Sequence, residues 1–360
     1  MTDATFPLFH HRLMRSPSTS RVGVPFSARF HSARSGRNPD GRLVEGLRMS
    51  WTGDFAHQPV MLDEIVELFA TVPPGVYVDA TLGGAGHAAA VLDAAPQLTL
   101  IGLDQDPMAL AAAGTALTRF GDRAALVRRR FDDLAAVLDE WGIESVSAVL
   151  FDLGVSSPQL DRAERGFSYR AEAALDMRMD PDGPVTAADI VNEWSERDLA
   201  RLFREHGEHR FAGRIAGRLV AARPFATTTE LAEAVRAAIP AATRRTGGHP
   251  ARRVFQALRV AVNEELDVLP VALDAALAHL APGGRLAVLA YHSGEDRIVK
   301  DRFRRAATGG CTCPPGMPCV CGAQPTVRLM TRGARKPSAT EISTNHRAES
   351  ARLRAVEGVQ

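Results

Sequence analysis

The chain has 360 residues, of which 45% are hydrophobic, so it can form one large or two smaller domains with an apolar core. Its formal net charge of +1 indicates no particular class of partner, and no apolar run approaches the roughly 18 residues that span a bilayer. All four cysteines fall within residues 311–321, which excludes a disulfide framework and suits a reducing cytoplasm.

Residues 1–50 lack hydrophobic periodicity and are rich in Ser, Arg, Pro and Gly, with eight arginines and three acidic residues. They contain no apolar core followed by a cleavage site, so we predict no secretory signal. We interpret them as a disordered or mis-annotated N-terminal extension, with Met49 as the alternative start. A transit peptide and an arm that grips RNA are the alternatives.

From Pro59 onward the pattern is typical of an ordered domain. Met61, Ile65, Leu68 and Phe69 recur at helical spacing and predict a first helix. Short, continuously apolar runs then alternate with alanine- and leucine-rich helical stretches, which is typical of buried parallel strands in βαβ units. The predicted strands are Val76–Asp79, Leu98–Asp104, Ala125–Val127, Val146–Asp152 and Leu286–His292. This order predicts a doubly wound, mostly parallel α/β sheet.

The interval between the fourth and fifth predicted strands is too long for a loop. It contains helical patterns at Glu196–Leu202, Phe211–Ala222 and Thr229–Ile239 and no clear strand. We therefore predict an inserted all-helical substrate-recognition domain at 163–250, between two parts of the core at 55–162 and 251–356.

A single helix over Arg253–Leu269 should lead the chain back to the sheet. One of its faces is apolar, and the opposite face carries Gln256, Arg259 and Asn263. These three polar groups could face a ligand. A solvated helix surface is the simpler interpretation for each one alone.

A glycine-rich turn, Asp79–His87, follows the first predicted strand and precedes a helix that begins near Ala88. Such a turn lets a cofactor lie against backbone N–H groups at the start of a helix. The spacing Gly84-x-Gly86-x-x-Ala89, with Asp104 at the end of the second strand, fits a dinucleotide and S-adenosylmethionine alike, because both carry a ribose. Asp79 at the strand end would repel a pyrophosphate and attract a sulfonium, which favours the methyl donor.

The fourth predicted strand runs into a polar turn, Asp152–Asp161, which contains Ser157-Pro158. Loops at the carboxyl ends of parallel strands face the ligand. Enzymes that methylate exocyclic base amines place an Asp/Ser-Pro-Pro-aromatic loop here, and this turn matches that pattern in part. Asp152 could therefore contact the cofactor or a target amine, or could simply form the turn.

Several longer motifs resemble the RsmH/MraW family of bacterial 16S rRNA (cytosine-N(4))-methyltransferases. They are His57–Glu64, Asp152–Asp161, Glu164–Tyr169, Leu175–Asp180, His249–Arg259 and Tyr291–Lys300. The resemblance covers about residues 55–355. It implies a Rossmann-like methyltransferase core with an inserted helical domain.

The resemblance also implies that the cofactor is S-adenosylmethionine. The positions that match the family's cofactor site are Ala85, Gly86, His87, Asp104, Phe131, Asp152 and Gln159. From the residues alone Phe131 is better explained as part of the core. Asp152, Ser157 and His292 are the candidates for the catalytic positions, although His292 is equally well explained as a structural histidine.

The implied substrate is the N4 amine of a cytidine in the decoding region of 16S rRNA, so the partner is the small ribosomal subunit and the enzyme is cytoplasmic. The base must be unstacked to be reached. Arginines of the insertion are predicted to hold the RNA, although for any one of them a surface ion pair is the better interpretation: Arg165, Arg170, Arg178, Arg210, Arg214 and Arg218. The alternative functions are a DNA amino-methyltransferase, a non-catalytic ribosome assembly factor and an NAD enzyme. The sequence also leaves open whether the protein forms a homodimer.

The four cysteines form a cluster of two close pairs, Cys311-x-Cys313 and Cys319-x-Cys321. Four thiolates can enclose a tetrahedral zinc ion, although two residues between paired ligands are more usual than one. The sequence leaves three hypotheses: a zinc site that pins this loop near the RNA, free thiols in a proline-rich loop, and a redox pair.

Overall fold

A mostly parallel sheet organises the computed structural model, which describes residues 59–240, 249–314 and 320–359. The predictions for residues 1–50 lie outside that range. Within it the sheet has seven strands, in the order β3-β2-β1-β4-β5-β7-β6. They are β1 (Gly75–Asp79), β2 (Leu98–Asp104), β3 (Ala124–Arg128), β4 (Val146–Asp152), β5 (Leu280–Ala290), β6 (Val327–Leu329) and β7 (Arg352–Gly358).

Thirteen α-helices are found in the same described ranges. They are α1 (Leu62–Phe69), α2 (Gly86–Ala94), α3 (Pro107–Leu117), α4 (Leu134–Glu140), α5 (Ser157–Asp161), α6 (Ala187–Glu193), α7 (Glu196–Glu205), α8 (Ala212–Ala222), α9 (Thr228–Ala238), α10 (Ala251–Val262), α11 (Glu265–Ala278), α12 (Ser293–Thr308) and α13 (Ala339–Thr344). None of them combines the length and apolar character that a membrane span requires.

The first four parallel strands lie within one residue of their predicted bounds, and the predicted fold class is confirmed. All residues of β4 before Asp152 are buried, because helices cover both faces of the sheet. Tyr77 and Leu100 face one apolar layer with α1 and α2, while Val78 and Phe151 face the other with α4 and α11.

Two features of the sheet differ from the prediction. The fifth strand begins at Leu280, with a register irregularity against β4, and ends at Ala290, so Tyr291 and His292 lie beyond it. The antiparallel strands β6 and β7 are not predicted at all. Buried Leu353, Ala355 and Val356 alternate in β7 with charged residues, and this short pattern is easily taken for a surface segment.

The inserted region forms its own apolar cluster. The helices α6–α9 pack around residues such as Ile190, Phe203, Ile215 and Leu231, and the only extended pairing among the described residues there is an isolated bridge between Ala174 and Thr227. Val254 and Leu258 of α10 belong to the same cluster. In its packing α10 therefore lies with the inserted helices, although the predicted boundary assigns it to the core.

The single helix predicted over Arg253–Leu269 is wrong, because the structure divides it into α10 and α11. Asn263 ends α10, and the backbone of Glu264 is left-handed, with a φ of 53°. The Asn263 side chain donates to the carbonyls of Met177 and Arg259 and accepts from the Met179 N–H. This buried amide joins the break between the helices to the inserted region.

We expect Asn263→Ala to lower the free energy of unfolding by roughly 2–4 kcal/mol, because it leaves the Met177 carbonyl and the Met179 N–H without their partner. Urea unfolding of the full chain measures this change. The matched control is Thr115→Ala on the exposed side of α3, which should change stability by less than about 0.5 kcal/mol. Equal stability of the two variants would contradict the role given to Asn263.

Candidate active site

The carboxyl ends of the parallel strands border a cavity of about 1190 Å³. One side of the cavity is formed by segments that follow β1, β2, β4 and β5. The opposite side comes from the insertion and α10, including Phe167, Tyr169, Gln256 and Arg259. A space of this size is slightly larger than the roughly 300–1000 Å³ of most ligand pockets.

The glycine turn forms one edge of the cavity through Gly83, Gly84 and Gly86. Gly86 begins α2, and a Cβ there would lie 2.5 Å from Cγ of Pro59, so only glycine fits. Ala85 is not among the described residues that line the cavity. Its side chain is fully buried, its φ is 62°, and its N–H donates to the Leu82 carbonyl, so this residue shapes the turn.

Asp104 ends β2 and lies on the cavity wall, as the sequence predicts. One carboxylate oxygen accepts the Gly83 N–H at 2.8 Å, and the other accepts the Asp106 N–H at 2.8 Å. Burial raises the pKa of Asp104 to about 6, against the opposing effect of these backbone hydrogen bonds. Each oxygen retains acceptor capacity for a further donor, such as a ligand hydroxyl.

Asp79 does not face the cavity, although its place at the end of the first strand predicts that it faces a cofactor. It is 1% exposed and is not among the described residues that line the cavity. Its carboxylate accepts hydrogen bonds from the Tyr77 hydroxyl at 3.1 Å and the Thr81 N–H at 3.2 Å. Burial raises the pKa of Asp79 to about 6. The expectation that Asp79 faces a cofactor is therefore wrong, and Ala80 and Thr81 line the cavity instead.

Asp152 lies where three segments meet. Its backbone N–H donates to the Thr81 hydroxyl at 2.6 Å, and its Oδ1 accepts from the Tyr291 hydroxyl at 2.7 Å. Its Oδ2 lies 3.6 Å from Nδ1 of His87, whose Nε2 is 2.9 Å from the Val60 carbonyl. Burial raises the pKa of Asp152, although His87 and the Tyr291 hydroxyl act in the opposite direction.

Gln159 is buried and fixes the turn that follows β4. Its side-chain oxygen accepts the Ser156 N–H at 2.9 Å, and its amide nitrogen donates to Oδ2 of Asp106 at 3.1 Å. Arg165 donates to the same Asp106 oxygen at 2.7 Å. Gln159 also lines the cavity. The side chain of Ser157, the second predicted catalytic residue, lies outside the described part of the chain.

Phe131 follows β3 and supplies an apolar surface to the cavity. Its ring meets that of Phe151 edge to face, with centroids 5.9 Å apart. Beside it, Arg130 is held by Asp132 and Glu264, at 2.7 Å and 2.9 Å. The half-buried ring therefore has a fixed orientation, with one part in the core and another facing the cavity.

His292 lies on the cavity wall but is the N-cap residue of α12. Its Nδ1 accepts the backbone N–H groups of Gly294 and Glu295 at 3.1 Å and 3.4 Å, so this nitrogen carries no proton. Its Nε2 lies 3.2 Å from the buried Glu295 carboxylate. Both ring nitrogens thus face the first turn of their own helix, which favours a structural role over that of a proton acceptor.

The polar face of α10 is directed at the cavity and not at the outer surface, because Gln256, Arg259 and Asn263 all line the cavity. Arg259 forms a bidentate pair with Glu265, at 2.7 Å and 2.8 Å. The break at Glu264 lets α11 turn away while this face stays directed at the site.

The predicted RNA-holding arginines fall into two groups. Arg165 pairs with Asp106 and Arg178 with Asp176, both within the fold. Arg170, Arg210, Arg214 and Arg218 are exposed, and of these only Arg170 lines the cavity, as far as the described residues show. Arg165 and Arg178 therefore form ion pairs, the alternative to RNA contact, and their guanidinium groups join the insertion to itself and to the core.

Several cavity residues are missing from the sequence prediction. They are Thr81, Tyr291 and Glu295 on the core side, Phe167 and Tyr169 on the insertion side, and a C-terminal segment that includes Asn345 and Arg347. Tyr291 is the second-last residue of the fifth predicted strand, and this place near a strand end is a signal that could have identified it. The C-terminal segment carries no such signal, because only the pairing of β7 with β5 returns it to the site.

One family model matches most of the chain, namely that of the MraW methylase family, over residues 54–359. The chain belongs to the MraW methylase family. It is therefore a methyltransferase with a Rossmann-like core, as predicted.

Individual relatives of this family member are similar over most of their length. The ribosomal RNA small subunit methyltransferase H of Symbiobacterium thermophilum is 53% identical over 311 residues, which are 85% of this chain and 98% of the relative. The protein of that name from Mycolicibacterium smegmatis is 54% identical over 89% of this chain and 88% of its own. A solved rRNA methylase from Streptococcus thermophilus aligns over 83% of this chain and 94% of its own, at 13% identity and a TM-score of 0.37.

Proposed function

We propose that this methyltransferase transfers a methyl group from S-adenosylmethionine to the exocyclic N4 amine of a cytidine in the decoding region of 16S rRNA. Its relatives are named for the small subunit ribosomal RNA. The observation that carries the proposal is the cavity, whose core side presents buried carboxylates and whose insertion side presents aromatic and arginine side chains. A ribosomal RNA substrate implies a cytoplasmic enzyme that acts on the small subunit.

The core side of the cavity fits S-adenosylmethionine in its chemistry. Asp104 would accept hydrogen bonds from the ribose hydroxyls, Phe131 would cover the adenine, and the turn at Gly84 and Gly86 lets the ligand approach the backbone. The carboxylates of Asp104 and Asp152 favour a cationic sulfonium over a pyrophosphate. When bound, this cofactor supplies an electrophilic methyl group.

Asp104→Asn should weaken S-adenosylmethionine binding by about 10- to 100-fold, which corresponds to the loss of one hydrogen bond to a charged acceptor. In the wild type the affinity should also fall as the pH drops through about 6, because protonation of Asp104 removes an acceptor. Calorimetric titration at several pH values between 5 and 8 measures both effects.

The matched control for this titration is Asp139→Asn, on an exposed part of α4 and not among the described cavity-lining residues. It should bind like the wild type. If Asp104→Asn also binds like the wild type at pH 7.5, Asp104 does not hold the ribose.

The acceptor amine is proposed to bind beside Asp152. A cytosine amine is a weak nucleophile because its lone pair is conjugated with the ring, so orientation in line with the methyl–sulfur bond is the main requirement. Such positioning can contribute up to about 7–11 kcal/mol. Tyr291 and Thr81 fix Asp152, whose carboxylate can accept a hydrogen bond from the amine and direct its lone pair. The amine's proton can leave after transfer, so no strong base is needed.

Asp152→Ala should lower kcat by about 10²- to 10³-fold, as expected for a group that positions charge in the transition state. Asp152→Asn keeps one acceptor oxygen, so its kcat should fall less than that of Asp152→Ala. Tyr291→Phe removes only a donor to Asp152, so its kcat should fall least of the three. Steady-state kinetics with saturating rRNA, together with cofactor Kd values, separates the kcat effect from weaker binding. A fall in affinity that fully accounts for lost activity would assign Asp152 to the cofactor alone.

The insertion side of the cavity has features suited to a single-stranded RNA segment. The rings of Tyr169 and His249 are stacked, with centroids 4.5 Å apart, and the edge of Tyr169 meets Phe255. Burial, with the charges of Arg236 and Arg170, lowers the pKa of His249, so its ring is neutral at physiological pH. Arg170 and Arg252 are exposed beside these rings. Aromatic rings that stack on unpaired bases and arginines that contact phosphates are common in RNA recognition.

The decisive experiment incubates the full chain with labelled S-adenosylmethionine and separately with small ribosomal subunits, naked 16S rRNA and duplex DNA. We expect label in N4-methylcytidine at one decoding-region position, located by mass spectrometry of the digested RNA. The matched control is an rRNA in which that cytidine is replaced by uridine, which should accept no label. This comparison tests both the base and the position.

Each alternative function predicts a different result. Label in duplex DNA with none in RNA would identify a DNA amino-methyltransferase. Tight binding to subunits without transfer would identify an assembly factor. A melting temperature that rises with NAD and not with S-adenosylmethionine would identify a dinucleotide enzyme.

A further inference from the structure

Three cysteines lie together in the loop between α12 and β6, well outside the cavity. The Sγ atoms of Cys311, Cys313 and Cys321 are all within 4.8 Å of one another. Cys319, the fourth cysteine of the predicted cluster, lies outside the described residues. We propose that the three described thiols bind a structural zinc ion that cross-links this loop.

The spacing of the sulfur atoms fits a single metal ion. Zinc–sulfur bonds of about 2.3 Å in a tetrahedron place the sulfurs roughly 3.8 Å apart, so a group within 4.8 Å needs only a small contraction. One disulfide would use two of the three sulfurs and leave the third, whereas a metal ion uses all three. Soft thiolates that converge in this way select zinc over magnesium or calcium.

Both ends of the loop are held by the fold. At the first end, Gly309 closes α12 with a φ of 60°, and a Cβ there would lie 2.5 Å from the backbone of Gln324. The Cys311 N–H then donates to the Thr308 carbonyl. At the second end, the Thr326 N–H donates to the Ala306 carbonyl, immediately before β6. The closely spaced ends bring the two parts of the cysteine cluster together.

The described residues on either side of 315–319 have little apolar packing of their own. Val320 is 88% exposed, Cys321 is exposed, and Cys311 and Cys313 are only half-buried. Short segments without a core are commonly stabilised by a metal or a disulfide. A zinc ion would therefore supply the cross-link that packing does not.

The position of the loop indicates a structural role. The 16-residue helix α12 starts beside the cavity at His292 and ends at the cysteine loop, and a helix of that length spans about 24 Å. A zinc ion there is too far away to contact the reacting groups. Methyl transfer should therefore be independent of it, which separates this proposal from the function proposed above.

The test measures zinc in the full chain expressed with zinc and purified without chelators, by mass spectrometry of the metal content. We expect about one zinc per chain. The double variant Cys311→Ser/Cys313→Ser should contain almost none, melt at a lower temperature, and keep the wild-type affinity for S-adenosylmethionine. The matched control Thr312→Ser changes the residue between the two cysteines and should keep the metal.

A second measurement does not depend on how the variants fold. Cobalt(II) added to metal-free wild type should give the thiolate-to-cobalt absorption of a tetrahedral sulfur site, and zinc should displace it. Three results would overturn the proposal: wild-type protein without stoichiometric zinc, a cysteine disulfide found in the freshly purified chain, or an iron–sulfur chromophore in place of zinc.

Discussion

Three carboxylates at the ends of β1, β2 and β4 impose the constraint on which the site depends, since Asp79 is buried and Asp104 and Asp152 are half-buried. A carboxylate removed from water must be satisfied by donors, and the surrounding loops are arranged to provide them. Asp79 takes donors from Tyr77 and Thr81, Asp104 from Gly83 and Asp106, and Asp152 from Tyr291. The raised pKa values, about 6 for both Asp79 and Asp104, show that this compensation is incomplete.

Incomplete compensation has consequences for stability and for binding. A folded-state pKa above that of the unfolded chain means that the folded protein binds more protons below about pH 6. Stability therefore falls as the pH rises from about 4 to 6, and the ionised acids remain a cost at neutral pH. A cationic ligand near Asp104 and Asp152 would offset part of that cost. The sulfonium of the proposed cofactor is such a cation.

Much of this arrangement can be predicted from the sequence, and the failures have physical reasons. Asp104, Phe131 and Gln159 line the cavity as expected, because residues after parallel strands meet at one edge of the sheet. Asp79 ends β1 as predicted, but its side chain lies on the same face as that of Tyr77, two residues earlier, whose hydroxyl it binds. A correctly predicted strand end therefore does not show whether its last side chain faces the cavity. The break at Glu264 could not be predicted, because no helix-breaking residue lies there. It depends on contacts of Asn263 with Met177 and Met179, which are distant in the sequence.

The same contacts explain how the core side and the insertion side of the proposed site are held in fixed positions relative to each other. Asn263 and Arg165 tie the insertion to the core, the first at the end of α10 and the second through Asp106 beside β2. Asp152 is itself held from both sides, by Thr81 after β1 and by Tyr291 after β5. Since β1 and β4 are neighbours from which the chain continues in opposite directions, Asp152 lies at the switch point of the sheet. A residue fixed at that point can face a cofactor on the β1 side and an acceptor on the insertion side without moving.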